Sequence, residues 1–274
     1  MTHSLIILGS GQDAGSPQVG TFGSAGPARA ASSIAVISDD GSVLLFDASP
    51  DIRLQYQRLA AHLGFAPPLD GVFITHGHMG HYAGLLHFGK EGAATDGLPL
   101  FAPQTVLDFL DENEPWASLM KGGHMLAIPI DDATAALGEI TVSAVPVPHR
   151  AEFTGTVGYS ISIDDTPWAF YLPDIDGWDE WPEAEAVLAS HDVCLIDATF
   201  CSTDELPGRD IAAIKHPLVP NTITRFQHLT RDREMILTHI NHSNPLGNVD
   251  ADITARAREF GFAVAHDGLV IDRG

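Results

Sequence analysis

Residues 75–81 read THGHMGH, directly after the short run GVFI at 71–74. Such a run, bounded by turn residues, reads as a buried strand. Three imidazoles, His76, His78 and His81, therefore crowd the loop that leaves it. Neutral imidazole is a good ligand for zinc and other borderline divalent ions. His76 and His78 can reach one ion if the turn exposes both. Taken singly, each histidine has a plainer reading as a hydrogen-bonded residue at a strand end. The clustering is what points to a metal.

Outward from this loop the same placement recurs. His149 follows AVPVP, Asp174 follows AFYLP, and His239 follows MILT. Loops that leave strands are where layered α/β folds collect reactive side chains. His149 would complete a three-histidine face with a position open for water. His3, His62, His124, His191 and His228 lack this placement and read as ordinary polar residues.

The rest of the chain has an α/β grammar. Leu5–Leu8 reads as a first strand, followed by a Gly-, Ala- and Ser-rich loop over 9–30. SIAVIS and SVLLFDA flank DDG and read as a hairpin. SPDIRLQYQRLAAHLG reads as a helix with Ser49 as N-cap, Pro50 as first helical residue and Gly64 as the stop. HYAGLLHFGKE opens a helix, PLFAP is a short strand and TVLDFLDEN a helix. Later, EITVSAVPVPH, GYSISIDD, PWAFYLPD, VCLIDATF and EMILTH read as strands. DADITARAREFGF is a late helix, and AVAHDGLVI closes the chain. The expected class is α/β, in layers, as a single domain of two similar halves, about 1–130 and 131–274.

Composition narrows the function. The 274 residues carry 14 Lys+Arg against 36 Asp+Glu, a formal charge of -22. Nucleic-acid binding depends on cations set against phosphates, so no nucleic-acid partner is expected. No apolar run is long enough for a membrane span. The first residues lack a basic stretch and read as a strand rather than a signal peptide. Cys194 and Cys201 are too few for a disulfide framework, so a cytoplasmic location is expected. A homodimer is left open.

THGHMGH resembles the H-x-H-x-D-H signature of the metallo-β-lactamase fold, and His149, Asp174 and His239 match its later metal positions in order. The resemblance implies a four-layer αβ/βα sandwich with metals at one edge. LGSGQDAGSPQ, FDASPDIRLQ, DATFCSTDEL, HINHSNPL and AHDGLVI are similar to the pyrroloquinoline-quinone biosynthesis B proteins and their relatives. Carried over, His76, His78 and His149 form a first metal site, Asp174 joins both sites, and His81 and His239 serve a second. Two departures stand out. Gly80 replaces the motif's aspartate, so the second ion is expected to be weaker than the first, and Gly80→Asp to tighten it. QVGTFGSAGPARA holds no cysteine where the quinone proteins have a cysteine-rich segment, so no structural zinc knuckle is expected.

Several neighbours have two readings. Asp47 and Asp197 end apolar runs and either accept a hydrogen bond from a metal-bound imidazole or shape their loops. Asp13 sits in the Gly-rich first loop and could face the metals. His242, beside Asn241 and Asn244, either replaces the missing ligand, acts as a general acid, or is structural. Arg209, Lys215 and His216 form a rare basic stretch that either holds an anionic substrate or is a solvated loop.

Three functions remain. One is a Zn2+-dependent hydrolase, with Fe or Mn as other metals, acting on an ester, lactone, amide or phosphodiester of a small molecule. The second is an iron-dependent oxygenase in quinone-cofactor biosynthesis. The third is a non-catalytic binding or carrier protein, which six retained candidate ligands argue against. The hydrolase is preferred because the cysteine segment is absent, and Asp174 and His242 are its candidate catalytic residues. The fold alone does not select a substrate.

Overall fold

The computed structural model describes residues 3–21, 26–131, 133–248 and 250–273. Part of the QVGTFGSAGPARA segment, residues 22–25, lies outside the described residues.

Among the described residues, fourteen strands form two seven-stranded sheets. The strands are β1 (Ser4–Gly9), β2 (Ser33–Ile37), β3 (Val43–Phe46), β4 (Gly71–Phe73), β5 (Leu98–Ala102), β6 (Met125–Pro129) and β7 (Thr134–Leu137). They continue as β8 (Ile140–Val147), β9 (Thr156–Ile163), β10 (Thr166–Leu172), β11 (Val193–Asp197), β12 (Glu234–Thr238), β13 (Ala263–Val264) and β14 (Val270–Asp272). One sheet has the order β14-β1-β2-β3-β4-β5-β6 and the other β13-β12-β11-β10-β9-β8-β7. Each starts as an antiparallel meander and ends in parallel pairs, β3 to β6 in one and β10 to β13 in the other. The last strand, β14, returns to pair with β1.

Alternation along the strands sets the layers. Leu5 and Ile7 of β1 pack between the sheets with Phe46, Phe73, Tyr159 and Tyr171. Ile6 and Leu8 face the other way, under α1 (Ile52–Leu63). The second sheet's outer face carries Phe170, Cys194, Ile196 and Leu237 against another helical layer. With both faces covered, β1, β3 and β11 read as continuous apolar runs. The layers are helix, sheet, sheet, helix, as the α/β expectation has it.

The remaining helices are α2 (Met79–Tyr82), α3 (Gln104–Glu112), α4 (Ala117–Lys121), α5 (Ala184–Ala189), α6 (Ile211–Ile214), α7 (Val219–Phe226) and α8 (Asp252–Glu259). In α7, Val219, Thr222, Ile223 and Phe226 are buried, at the i, i+3, i+4, i+7 spacing of a core-facing stripe. No helix among the described residues is long and apolar enough to cross a membrane.

Two local expectations are corrected. Helix α1 starts at Ile52, not Pro50. Asp47 and Ala48 are still tied to the carbonyls of Phe73 and His81, and Ser49 Oγ accepts the Asp51 N–H, so the chain turns before it coils. HYAGLLHFGKE gives only α2 and a 3₁₀ turn over Ala83–Phe88. Gly84 donates its N–H to Ala48 and lies so close that a Cβ would stand 2.0 Å from the Ser49 oxygen. Gly64, with φ of 78°, does end α1 in the left-handed conformation.

Candidate metal centre

Six chain segments bring their ends to one edge of the sandwich. Asp47 follows β3, Thr75 to His81 follow β4, and His149 follows β8. Asp174 follows β10, Asp197 ends β11, and His239 follows β12. These strands run in the same sense within each sheet, so their carboxyl ends gather at one edge.

Three overlapping groups of ligand atoms share Asp174 among the described residues; one of them joins it to Asp197, His216 and His239, and the other two hold the THGHMGH histidines. In the first, His76 Nε2 and His149 Nε2 lie 2.9 and 3.2 Å from His78 Nδ1. The Asp174 carboxylate is 3.4 Å from His76 Nε2 and 3.6 Å from His149 Nε2. In the second, His81 Nε2 is 3.2 Å from Asp174 Oδ2 and 3.2 Å from Asp13 Oδ1. His239 Nε2 is 3.2 Å from Asp174 Oδ2 and 4.0 Å from Asp13 Oδ1. Asp174 belongs to both groups.

The outer ring nitrogens explain what the inner ones carry. His78 Nε2 meets Glu152 at 3.0 Å, His81 Nδ1 meets Asp47 at 2.7 Å, and His149 Nδ1 lies 3.1 Å from Asp176. His76 Nδ1 faces Thr75 Oγ1 at 3.0 Å, and His239 Nδ1 faces Thr199 Oγ1 at 2.8 Å. A proton assigned to the nitrogen facing each carboxylate leaves a lone pair directed inward. Such outer partners orient metal-binding imidazoles.

Burial and His81 hold His76 well below the usual histidine range, and burial likewise lowers His149 and His239. Burial would lower His81 too, but Asp47, Asp13 and Asp174 outweigh it and hold its ring well above the ordinary value. The Asp174 carboxyl resists burial because His239 and His149 keep it ionised, well below the usual range.

The donor set fits a divalent cation. Asp13 Oδ1, His81 Nε2, His239 Nε2 and both Asp174 oxygens are buried without a hydrogen-bond partner among the described residues. Unsatisfied buried polar atoms are rare and costly, and here they converge. A divalent ion in each group would satisfy imidazole and carboxylate together.

Asp47 is fully buried at φ 60°. It accepts from Thr75 N–H and Oγ1, Tyr171 Oη and His81 Nδ1 at 2.7–3.1 Å. Asp47→Asn keeps the shape but cannot serve all four donors. Second-ion affinity should fall roughly 10- to 100-fold in metal titrations, with the melting temperature lowered. Asp197 plays the matching part in the other sheet, accepting from Ile175 N–H, Thr199 and His216.

Other expected site residues are placed differently. His242 stands outside both groups, its ring against Gln18 and Asn241. Asn241 turns its amide to Ser243. Arg209 is exposed. In the basic stretch, Lys215 is paired with Asp176 at 3.1 Å and lies 3.9 Å from Glu180. His216 turns inward instead, 2.7 Å from Asp197 and 3.3 Å from Asp174. Burial opposes its charge, but Asp197 prevails and pushes its pKa up to about 9. Asp176 and His216, both with buried side chains, border a cleft of about 830 Å³, lined also by Trp178, Leu218, Asn221 and Arg225. Sequence reasoning missed Glu152, Asp176 and Thr199 as partners of the imidazoles. Only Asp176, two residues past Asp174, carried a positional hint.

Residues 43–240 match the model of the beta-lactamase superfamily domain. Coenzyme PQQ synthesis protein B of Cupriavidus necator is 29% identical over 89% of this chain and 87% of its own length. The structure of Zn(2+)-bound PqqB from Methylobacterium extorquens matches with a TM-score of 0.81 at 24% identity, covering 98% of this chain and 100% of that one. A diphosphatase from the PhnP family matches with a TM-score of 0.73 at 24% identity, covering 100% of this chain and 98% of that one. Sheet order, layers and these likenesses agree, and the chain belongs to the beta-lactamase superfamily, with a metallo-β-lactamase fold similar to that of PqqB.

Proposed function

We propose that the chain is a metal-dependent hydrolase acting on an ester, lactone, amide or phosphodiester of a small molecule in the cytoplasm. The observation that carries this reading is the convergence of unpartnered buried donors from His81, His239, Asp13 and Asp174 beside the three-histidine group. Five imidazoles and two carboxylates without a thiolate suit Zn2+, and the zinc named for the Methylobacterium extorquens protein supports that choice. When bound, such an ion supplies a hydroxide at neutral pH and polarises the attacked oxygen.

The chain's own residues would do the rest. His76, His78 and His149 hold one side of the centre, and Asp174 joins it to the other. The cleft beside His216 is of the size small ligands use. His216 borders that cleft, its ring buried between Asp197 and Asp174, and is our candidate to give a proton to a leaving group. It takes the acid role considered for His242. A formal charge of -22 argues against a nucleic-acid partner.

A panel of esters and lactones with good and poor leaving groups tests this. The zinc-loaded protein should turn over at least one member. His216→Ala should slow poor leaving groups by roughly 100-fold and nitrophenyl esters far less. Equal losses on both would remove His216 from proton donation. The likeness to coenzyme PQQ synthesis protein B supports a second reading, an iron-dependent oxygenase in cofactor synthesis, for which oxygen consumption is the mark.

A further inference from the structure

The signature that THGHMGH resembles has an aspartate where this chain has Gly80. On the reading that this edge holds metal, that glycine should leave the second group one carboxylate short. The structure shows the space already filled. A Cβ built on Gly80 would stand 2.4 Å from Asp13 Cα, 2.4 Å from Asp13 Oδ1 and 2.9 Å from Asp13 Cβ. The side chain of Asp13 thus lies where an aspartate at position 80 would begin.

Asp13 is aimed as a ligand would be. Its Oδ1 is buried, has no hydrogen-bond partner among the described residues and is 3.2 Å from His81 Nε2. Its Oδ2 takes the Gln12 side-chain amide at 2.6 Å, which fixes the carboxylate's rotation. The loop that carries it is laced to its surroundings. Gly11 N–H donates to Ala30, Gln12 N–H to Ile240, and Ile240 N–H to Ser10. Ser10 is held in turn by Asp267 and by Arg29. Ile240 is the residue after His239, so the ladder sets Asp13 against another member of the same group.

We propose that Asp13 is a direct ligand of the second metal group, supplied by the first loop in place of the signature's aspartate. Positions 13 and 80 form a coupled pair, in which a carboxylate at 13 requires glycine at 80. The second group is then His81, Asp174, His239 and Asp13, with its full complement of charge. This reverses the expectation of a weak second ion and of a tightening Gly80→Asp change. A side chain at 80 meets the backbone of residue 13, so it displaces the loop rather than adding a donor.

Zn2+ titration against a competing chelator tests the pair, with circular dichroism to confirm folding. The parent should take up two ions. Asp13→Ala should keep the first ion at parental affinity and weaken the second by roughly 100-fold or more. Asp13→Asn, which keeps the shape, should also lose second-ion affinity. Gly80→Ala, which retains every ligand, should weaken the second ion by shifting the loop. A folded Asp13→Ala that binds both ions like the parent overturns the assignment. So does a parent with a single ion indifferent to Asp13→Ala. Second-ion affinity unchanged in Gly80→Ala, or raised in Gly80→Asp, overturns the coupling. A parent that takes up no Zn2+ overturns the metal reading beneath it as well.

Discussion

Asp174→Ala is expected to abolish uptake at both metal groups and to lower turnover about a thousandfold or more, a larger loss than any other single change should produce. Asp174 is 1% exposed and stands within 3.6 Å of five imidazoles, those of His76, His81, His149, His216 and His239. Neither of its oxygens has a hydrogen-bond partner among the described residues. Without it the edge keeps its histidines but loses the anion that both groups share. Asp174→Asn tests charge separately from volume and should also fail to hold metal. Stability should suffer less than activity, since the strands and the inter-sheet core stay as they are. A folded Asp174→Ala with parental turnover would reduce Asp174 to a structural residue.

The second large effect is at the first group. His76→Ala and His149→Ala should each weaken the first ion by more than roughly 100-fold. Each removes one of three imidazoles whose inner nitrogens lie 2.9–3.2 Å apart around His78 Nδ1. The outer partners cannot compensate. Thr75 and Asp176 orient the rings from behind and do not reach inward. Metal content and thermal melting should be followed together, with His242→Ala as a control expected to keep both. Full metal content in folded His76→Ala and His149→Ala would sink the assignment.

Much of the fold was legible because both sheet faces are covered. Strands such as β1, β3 and β11 then show as unbroken apolar runs, and the histidines and acids that end them mark the working edge. Strands β6 and β7 were not legible. β6 lies at a sheet edge with most of its residues at least partly exposed, so Met125–Pro129 carries no clear pattern. The short α2 was misread because nothing in HYAGLLHFGKE announces that Gly84 binds the Ala48 carbonyl.

The site was legible where one segment carries the pattern and not where the fold completes it. THGHMGH can be read along the chain. The carboxylate missing from it arrives from the first loop, through hydrogen bonds to Ala30 and Ile240 that no local spacing encodes. His216 is a different case. Lys215 adopts φ 55°, and the two neighbours take opposite directions, Lys215 toward Asp176 and His216 toward Asp197. A basic run in the sequence is thereby split into a surface ion pair and a buried site residue.

The claim that this edge is a hydrolytic metal centre is tested most directly by isotope tracing. The zinc-loaded protein is run on the ester and lactone panel in 18O-labelled water, with dissolved oxygen monitored and a metal-stripped sample alongside. Hydrolysis places one labelled oxygen from water in the product, consumes no oxygen, and stops when the metal is removed. Label-free product with oxygen consumed by an iron-loaded protein, and no turnover with zinc, would contradict the account.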